Sequence, residues 1–488
     1  MSVAIFPRVR TFIEPKLNRL SGSPHDANSW GGGSVNRQIL SAATTVARLA
    51  ILVKAASLAK EMLIARRFGA SDALDALYIA ILLPGFLSSV VDTSFNTAFI
   101  PIYIEARERE DSTTANCVFS NIAVINIALL AVVAAVLAGL QRWLLPILGS
   151  GFSPQKLALA RPLYFVFLIS LSLVGLSVLW RAALNAHERF TLASIAPISN
   201  PIAIVIVVLI AGNRWGIYAL AAGLILGTVG ELAISGFGLW QLGIPLLPRW
   251  YGIDSWTRRV LWQYTPTLMG ALLMGGTTLV DPAMAAMLGS GSVSALNYAY
   301  KLPALVTSIG LSSLSTAILP SLSRLSANEN WREMRRVLLS YTALLALVTI
   351  PLTGLLIVLS KPLVSLFFQG GAFSAHDTHL VARVQTMFCL EIPFYSVAIL
   401  YVRAISSLKR NDLILWGTLI SVSANVGLNI LFMKIIGLPG IALSTSAVYA
   451  LNCGYLSLML FRALRQHERA NSAAPIPLQM MPSEGSAD

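Results

Sequence analysis

The chain has 488 residues, of which 56% are hydrophobic and 12% charged, and its mean hydropathy is +0.72. A soluble domain carries about 25% charged residues, so this composition excludes a soluble globular protein and indicates a helical protein with many membrane spans. The formal net charge of +13 is spread over many short loops, which indicates orientation in the membrane and contact with anionic lipids rather than binding to nucleic acid.

The apolar segments predict an all-α polytopic membrane protein with about twelve transmembrane helices in two six-helix bundles. Residues 1–38 lack the apolar core of an export signal. They are predicted to be a disordered cytoplasmic extension. The first bundle covers 39–245, the second covers 246–463, and 464–488 are predicted to be a disordered cytoplasmic tail. The predicted spans are 40–66, 74–103, 117–139, 161–184, 192–212, 216–241, 263–288, 293–320, 336–359, 380–406, 413–435 and 438–462.

The first predicted span carries three charged residues, Lys54, Lys60 and Glu61, at bilayer depth. A charge at that depth costs at least about 2.5–3.5 kcal/mol, so such residues normally face a cavity, a partner or a substrate. No residue of opposite charge stands three or four positions away from any of them, and Lys54 and Glu61 lie too far apart along the helix to touch. Their partners must therefore come from another helix or from a ligand.

The second and eighth predicted spans are copies of one another. Residues 76–101 align without a gap on residues 295–320, so that Pro84 meets Pro303 and Pro101 meets Pro320. The positions of identical residue type in the first copy are Ala76, Leu77, Ala80, Leu83, Pro84, Ser89, Thr97, Ala98 and Pro101. Chance similarity between apolar helices is the alternative. Two parallel repeats indicate a transporter with its substrate between the halves, and Pro84 and Pro303 are candidate hinges, or else harmless kinks.

Further charges lie in other predicted spans. Asp75 begins span two, Asp92 lies in its middle, Asp281 lies in span seven, and Lys301 lies in the outer third of span eight. One hypothesis is interhelical pairing, with Lys54 or Lys60 against Asp92. The favoured hypothesis is a net-positive cavity between the halves that binds a phosphate group, since lysine serves phosphate as a compact point charge. The candidate phosphate-binding residues are Lys54, Lys60 and Lys301, and the candidate cavity or coupling acids are Glu61, Asp75, Asp92 and Asp281.

The loops predict orientation and offer no catalytic site. Lysine and arginine are more frequent on the side that holds both termini, which places both termini in the cytoplasm. The three cysteines, Cys117, Cys389 and Cys453, lie within or beside apolar segments and predict neither a disulfide framework nor a metal site. We interpret His376 and His379 as part of a polar loop rather than as metal ligands.

The chain resembles the MurJ/MviN group of lipid flippases within the multidrug, oligosaccharidyl-lipid and polysaccharide exporter superfamily. The stretches that carry the resemblance are SLAKEMLIARRFGASDALDALYIAILLP, LNAHERFTLASIAPISNP, SGSVSALNYAYKLP followed by TAILPSLSRL, and LFFQGGAFSAHD. The resemblance implies a monomer in the bacterial inner membrane that needs no cofactor and performs no catalysis. It implies transport of an undecaprenyl-pyrophosphate-linked saccharide to the outer leaflet by alternating access, driven by an ion gradient or the membrane potential.

The resemblance also assigns residues. The family's basic–acidic motif of span one falls on Lys60 and Glu61, its deeper cation on Lys54, its cation of span eight on Lys301, and its acid at the start of span two on Asp75. The chain departs from the lipid II flippases, which carry arginine at the three lysine positions, an arginine pair at residues 88 and 89, and two further helices. Lysine and arginine are not equivalent at bidentate phosphate sites.

These departures leave the cargo open between peptidoglycan lipid II and a unit of exopolysaccharide or another surface glycan. A membrane-embedded glycan polymerase or ligase is one alternative, but it needs a sizeable outer loop, and the longest predicted here is around 140–160. A cation-coupled drug antiporter of the same superfamily is another alternative, and it needs carboxylates rather than lysines in its cavity.

Overall fold

The structure, a computed structural model, describes residues 32–473, and its regular elements there are helices. The helices are α1 (Gly32–Phe68), α2 (Asp72–Arg109), α3 (Ser112–Leu148), α4 (Pro154–Ala186), α5 (Phe190–Ile195), α6 (Ser199–Trp215), α7 (Tyr218–Gln241), α8 (Ser255–Gly275), α9 (Thr277–Ala285), α10 (Ser292–Ala327), α11 (Trp331–Val358), α12 (Ser360–Phe368), α13 (Ala375–Cys389), α14 (Glu391–Ser407), α15 (Asn411–Ile436) and α16 (Leu438–Ala473). The all-α prediction is confirmed.

The helices follow the predicted spans closely. Within residues 32–473, nine helical segments are long and apolar enough to cross a membrane, and these include the joined pairs α5–α6 and α13–α14. The three other predicted spans coincide with α1, with α8 together with α9, and with α10. Three predicted spans are interrupted: 192–212 by a 3-10 turn at Ala196–Ile198, 263–288 at Gly276 and 380–406 at Leu390. Gly276 is the second of two adjacent glycines, the residues with the lowest helix propensity after proline.

The outer helices extend beyond the predicted boundaries. The chain divides into two units after Leu52, within α1. Helix α1 starts at Gly32, and α16 continues to Ala473, so residues 32–38 and 464–473 are helical rather than disordered. Within residues 464–473, Leu464 is buried, and the His467 ring stacks on the Trp331 ring with 4.6 Å between ring centroids. Residues 1–31 and 474–488 lie outside the described residues.

The buried side chains form three clusters. The shared core contains residues from both predicted halves and lies at the end of the bundle where α1 ends and α2 begins; examples are Leu74, Leu163, Tyr298, Phe368 and Ile441. The first-half core (Phe99, Phe119, Leu179, Leu239 and others) and the second-half core (Leu322, Met334, Leu400, Leu460 and others) lie toward the opposite end. The two halves therefore share packing at one end and are packed separately at the other.

The predicted division at residue 246 places α8 in the second half, but α8 packs on the first half. It packs against α2, with Val260 in the first-half core and the Tyr264 ring 4.9 Å from the Phe95 ring. After the break at Gly276, α9 contacts α2, α10 and α15. The seventh predicted span therefore passes from the packing of the first half to that of the second.

Candidate functional site

The candidate site is built around Glu61, near the end of α1. Glu61 Oε1 lies 2.9 Å from Lys60 Nζ and 3.0 Å from Lys301 Nζ, which comes from α10. The exposed fractions of these side chains are 8% for Glu61, 18% for Lys60 and 32% for Lys301. Two ammonium groups around one carboxylate leave a net positive charge between α1 and α10.

The shared core fixes the position of this cluster. Ile64 and Ala65, one turn after Glu61, are buried in that core, and so is Tyr298, one turn before Lys301. Glu61 Oε2 is buried and has no hydrogen-bond partner among the described residues. The carboxylate is therefore held through a single oxygen by two cations.

Lys54 lies apart from this cluster. It is exposed on α1, almost two turns before Lys60, and no ion pair of Lys54 is found among the described residues. The structure thus brings Lys60, Glu61 and Lys301 together and leaves Lys54 as a separate cation on the same helix.

The hypothesis that Lys54 or Lys60 pairs with Asp92 is wrong. Asp92 Oδ1 accepts a hydrogen bond from Arg181 Nη2 at 3.2 Å, and Arg181 Nε lies 2.8 Å from Glu231 Oε1 on α7. Arg181 lies inside α4, and its side chain is 24% exposed. The first half therefore contains its own ion cluster, separate from the lysines.

Asp75 joins the two halves. Its carboxylate is fully buried and accepts four hydrogen bonds, from Lys156 Nζ, the Gly291 amide, the Ser294 amide and Ser294 Oγ, each at 2.8 Å. Lys156 Nζ also lies 2.6 Å from Asp72 Oδ1. Asp75 and Ser294 stand 219 residues apart, the same spacing as in the sequence repeat, so equivalent positions of the two copies touch each other. We name this contact the Asp75 junction.

A second contact between the halves lies beside the Asp75 junction. The Ala372 amide donates to the Arg66 carbonyl at 2.7 Å, and the turn after α1 passes Gly69 with φ +60°. A side chain at Gly69 would meet the Ala372 carbonyl oxygen, and one at Gly371 would meet the Arg66 carbonyl oxygen. Glycine at these two positions lets the turns approach closely.

Asp281 has a polar but uncharged environment. Its Oδ1 accepts hydrogen bonds from Asn425 Nδ2 at 3.1 Å and Asn429 Nδ2 at 2.8 Å, and its Oδ2 accepts from Thr445 Oγ1 at 2.7 Å. These donors come from α15 and α16, so Asp281 belongs to the second half. It makes no contact with Lys54, Lys60 or Lys301 among the contacts found in the described chain.

The candidate hinges lie within unbroken helices. Pro84 is inside α2 and Pro303 is inside α10, and the backbone stays helical through both. Ser88 Oγ donates to the Pro84 carbonyl at 2.9 Å, and Thr307 Oγ1 donates to the Pro303 carbonyl at 3.1 Å. The same local hydrogen bond therefore recurs at matched positions of the repeat, and such bonds bend helices.

Several polar residues of these sites were missed in the sequence analysis. They are Lys156, Arg181, Glu231, Ser294, Glu391, Asn425, Asn429 and Thr445. Glu231 in TVGELAIS and Glu391 in FCLEIPF are acids within apolar segments, which is a sufficient signal for a buried role. Lys156 follows the start of α4, where the helix dipole disfavours a cation, so a carboxylate partner could have been expected.

Metal ligands are not grouped in the described part of the chain. Within residues 32–473, no cluster of three or more His, Cys, Asp or Glu residues could hold a metal ion, and Cys117, Cys389 and Cys453 are free. The arrangement found instead is one of separate charged centres, each of which is placed where helices of one or both halves meet.

Known proteins are similar to this chain in sequence and in fold. The family described as lipid II flippase MurJ matches residues 64–476. The lipid II flippase MurJ of Burkholderia cenocepacia is 28% identical over 439 residues, which cover 86% of this chain and 83% of that protein. A probable lipid II flippase MurJ of Thermotoga maritima is 25% identical over 406 residues, which cover 83% of this chain and 81% of that protein.

Two solved structures have the same architecture. One is a lipid II flippase MurJ in an inward closed conformation, with a TM-score of 0.73 and 23% identity over 87% of this chain and 90% of that chain. The other is an inward-facing multidrug resistance MATE family transporter of the MOP superfamily, with a TM-score of 0.70 and 13% identity over 88% of this chain and 100% of that chain. Since the family match covers most of the sequence, the chain belongs to the lipid II flippase MurJ family.

Proposed function

We propose that this protein is a flippase that moves an undecaprenyl-pyrophosphate-linked saccharide from the cytoplasmic to the outer leaflet of the bacterial inner membrane. It works by alternating access as a monomer surrounded by lipid, with both termini in the cytoplasm, without a cofactor and without catalytic chemistry. The names of the related proteins support the transport of a lipid-linked glycan.

The observation that carries the proposal is the excess of positive charge on α1 and α10. Glu61 neutralises one of the charges of Lys60 and Lys301, and Lys54 has no ion pair among the described residues. A pyrophosphate group is a compact anion, and ammonium groups bind phosphate as point charges. We assign the pyrophosphate to these three lysines.

Alternating access follows from the distribution of packing. The halves are joined by the shared core and the Asp75 junction at one end and have separate cores at the other. The bias of lysine and arginine predicts that the joined end faces outward. The protein is then closed to the outside, and it opens there only after the Asp75 junction breaks.

We also propose that the four acids carry the coupling of transport to its energy source. Glu61 responds to the state of the lysines, Asp75 joins the halves, and Asp92 and Asp281 each lie in one half. Movement of one half against the other changes the surroundings of Glu61 and Asp75, which contact residues of the opposite half. An ion gradient or the membrane potential can bias that movement.

The cargo within this class is either lipid II or another lipid-linked surface glycan. The hydroxyls of Ser88 and Ser89 donate to backbone carbonyls of their own helix, so α2 offers no cation at this place. The positive charge is therefore confined to α1 and α10 in this part of the site. The family resemblance implies an arginine pair at residues 88 and 89, where this chain has two serines. An exopolysaccharide unit is therefore the cargo to test beside lipid II.

The alternative functions are supported less well. The loop expected at 140–160 is mostly helical, because α3 continues to Leu148 and α4 begins at Pro154, and that prediction was wrong. This leaves little space for the outer catalytic loop of a glycan polymerase or ligase. A drug antiporter moves cations, which the lysines around Glu61 would repel.

The test uses the purified protein in liposomes that contain lipid II or an undecaprenyl-pyrophosphate-linked exopolysaccharide unit. We expect Lys54→Ala and Lys301→Ala to abolish flipping of the cargo while membrane insertion is unchanged. Lys301→Arg should keep part of the activity, because it keeps the charge. Lys361→Ala is the matched control, since Lys361 is exposed at the start of α12.

Normal flipping by both alanine variants would show that the lysines do not bind the pyrophosphate. Flipping of one cargo and not the other by the wild type identifies the glycan. Failure of the wild type to flip either cargo, under an imposed membrane potential, would contradict the proposed function itself.

A further inference from the structure

Glu391 is a buried acid that the proposed mechanism does not use. It is the first residue of α14, at the break after α13, and only 1% of its surface is exposed. Its Oε2 has no hydrogen-bond partner, and no ion pair of this side chain is found among the described residues. An ionised carboxylate removed from water without a cation or a donor carries a penalty of several kcal/mol, so such a group is present as the neutral acid.

The groups that face Glu391 are acids, phenols and a thiol. Helix α14 packs against α10, α11, α13, α15 and α16. The titratable groups that act electrostatically on or with Glu391 are Asp281 on α9, Tyr300 on α10, Cys389 on α13, Tyr395 on α14 and Tyr449 on α16. Residues 343–358 of α11 and 413–433 of α15 contain no titratable side chain. No cation therefore compensates Glu391 within the described part of the second half.

Asp281 and Glu391 are two acids of the second half with different surroundings. Asp281 accepts hydrogen bonds from Asn425, Asn429 and Thr445, which stabilise a negative charge, whereas Glu391 Oε2 has no donor among the described residues. Two carboxyl groups that interact in a site without a cation do not both ionise. These contacts favour a negative charge on Asp281 over one on Glu391, and a proton on Glu391 over one on Asp281.

Aromatic rings enclose this part of the second half. The rings of Tyr395 and Tyr449 meet edge to face at 5.0 Å, and the Tyr300 ring meets Phe388 edge to face at 5.2 Å. Tyr395 lies one turn after Glu391 on the same face of α14. The acid itself is 1% exposed in this conformation.

We propose that Glu391 is a proton-binding site of the second half, whose loading is linked to the conformational change that moves the cargo. The proposal rests on the proposed function, which requires such a change. In the described conformation the proton is bound to a carboxyl oxygen of Glu391. When the halves rearrange and water reaches the pocket, the O–H bond breaks, the proton passes to water, and Glu391 becomes a carboxylate. The reverse step restores the neutral acid, so a proton gradient biases the cycle.

The first test measures the proton directly. Infrared spectra of the full-length protein in lipid nanodiscs at neutral pH should contain the carbonyl stretch of a protonated carboxylic acid. We expect Glu391→Gln to remove that band. Glu231→Gln is the matched control and should leave the band in place, because Glu231 is paired with Arg181. Absence of the band in the wild type, or its persistence in Glu391→Gln, would overturn the proposal.

The second test measures coupling. Liposomes that contain the wild type are expected to change their rate of cargo flipping when a pH gradient is imposed at fixed membrane potential. Glu391→Gln should still flip cargo but lose the response to the gradient, whereas the control Glu108→Gln, at a side chain that is 67% exposed, should keep it. An unchanged response in Glu391→Gln would overturn the link to transport. A wild type that shows the infrared band but flips neither cargo would contradict the proposed function and not the proton site.

Discussion

At the scale of single residues, the charges within the helices differ in what compensates them. Glu61 is held by two lysines, Asp92 by an arginine that it shares with Glu231, and Asp281 only by amide and hydroxyl groups. Lys54 has no ion pair among the described residues. The difference in charge neutralisation matters for function. A cation whose charge is only partly neutralised by a carboxylate can bind an anionic ligand instead, whereas a fully neutralised cation must first lose its partner.

The Glu61 cluster makes a prediction about stability. Glu61→Gln should lower the free energy of unfolding by about 1–3 kcal/mol, less than the loss for a fully buried pair because Lys301 is 32% exposed. Thermal unfolding in detergent would measure this as a lower Tm. The double variant Glu61→Gln/Lys301→Gln should recover part of the loss, since it removes a repelling charge. Strict additivity of the two changes would contradict a direct interaction.

A second residue-scale prediction concerns pH. His187 follows α4, and its Nδ1 lies 3.0 Å from the Ala183 carbonyl oxygen. Burial lowers the pKa of His187, and the charges of Arg107 and Arg189 lower it further, against the opposing effect of that carbonyl. The unfolded chain therefore binds the proton at higher pH than the folded chain. Stability is lost as the pH falls below the unfolded pKa of about 6.5 and on toward the lower folded pKa.

The measurement is the fall of Tm between about pH 7.5 and about pH 5.5. We expect His187→Asn to make this fall smaller than in the wild type. The control is His376→Asn, because His376 is exposed at the start of α13. An equal fall of Tm in the wild type and in His187→Asn would contradict the assignment.

At the scale of the helices, hydrophobic patterning predicted most of what is observed. The span predicted at 413–435 is α15 at Asn411–Ile436, and the span predicted at 216–241 is α7 at Tyr218–Gln241. The breaks at Gly276 and Leu390 were not predicted, because an apolar segment of the right length carries no sign of how its two parts pack. The same limitation hid the packing of α8 on the first half.

The repeated prolines make a prediction about motion. Pro84→Ala and Pro303→Ala should each leave Tm unchanged or raise it, because alanine restores a backbone donor. Flipping should slow by about three- to tenfold, which corresponds to about 0.7–1.4 kcal/mol in the barrier, if the bends help the halves to move. Pro351→Ala in α11 is the control, since that helix lies outside the aligned repeat. Unchanged flipping in both variants would exclude a hinge at these positions.

At the scale of the whole molecule, the two halves meet most firmly at one end. The gapless repeat predicted two related halves, and the contact of Asp75 with Ser294 shows that equivalent positions meet. The sequence also indicated Asp75, Glu61 and the lysines as buried charges, but not their partners. Lys156, Ser294 and Arg181 come from helices distant in the chain, and the pairing of distant helices leaves no trace in a single sequence. This is why the residues of the site were predicted better than its contacts.

The Asp75 junction makes a prediction about conformation. Asp75→Asn replaces one carboxylate oxygen by an amide donor, so either the Gly291 amide or the Ser294 amide loses its acceptor. We expect this variant to favour opening at the joined end and closure at the opposite end. Spin labels at Arg109→Cys and Arg324→Cys, in a background without the native cysteines, should then lie closer together than in the wild type.

The matched control is Asp72→Asn, because Asp72 also contacts Lys156 but is 61% exposed. It should leave the distribution of label distances unchanged. A wild-type distribution in Asp75→Asn would show that this carboxylate does not hold the halves together.

The shared core has a consequence for the resting state of the protein. Separating the halves at that end exposes Leu74, Tyr298 and Phe368 to water, whereas separating them at the opposite end breaks no comparable cluster. The free protein is therefore biased toward one conformation before any cargo arrives. In the proposed orientation this resting conformation is open to the cytoplasm, so the step that returns the empty protein to it is favourable.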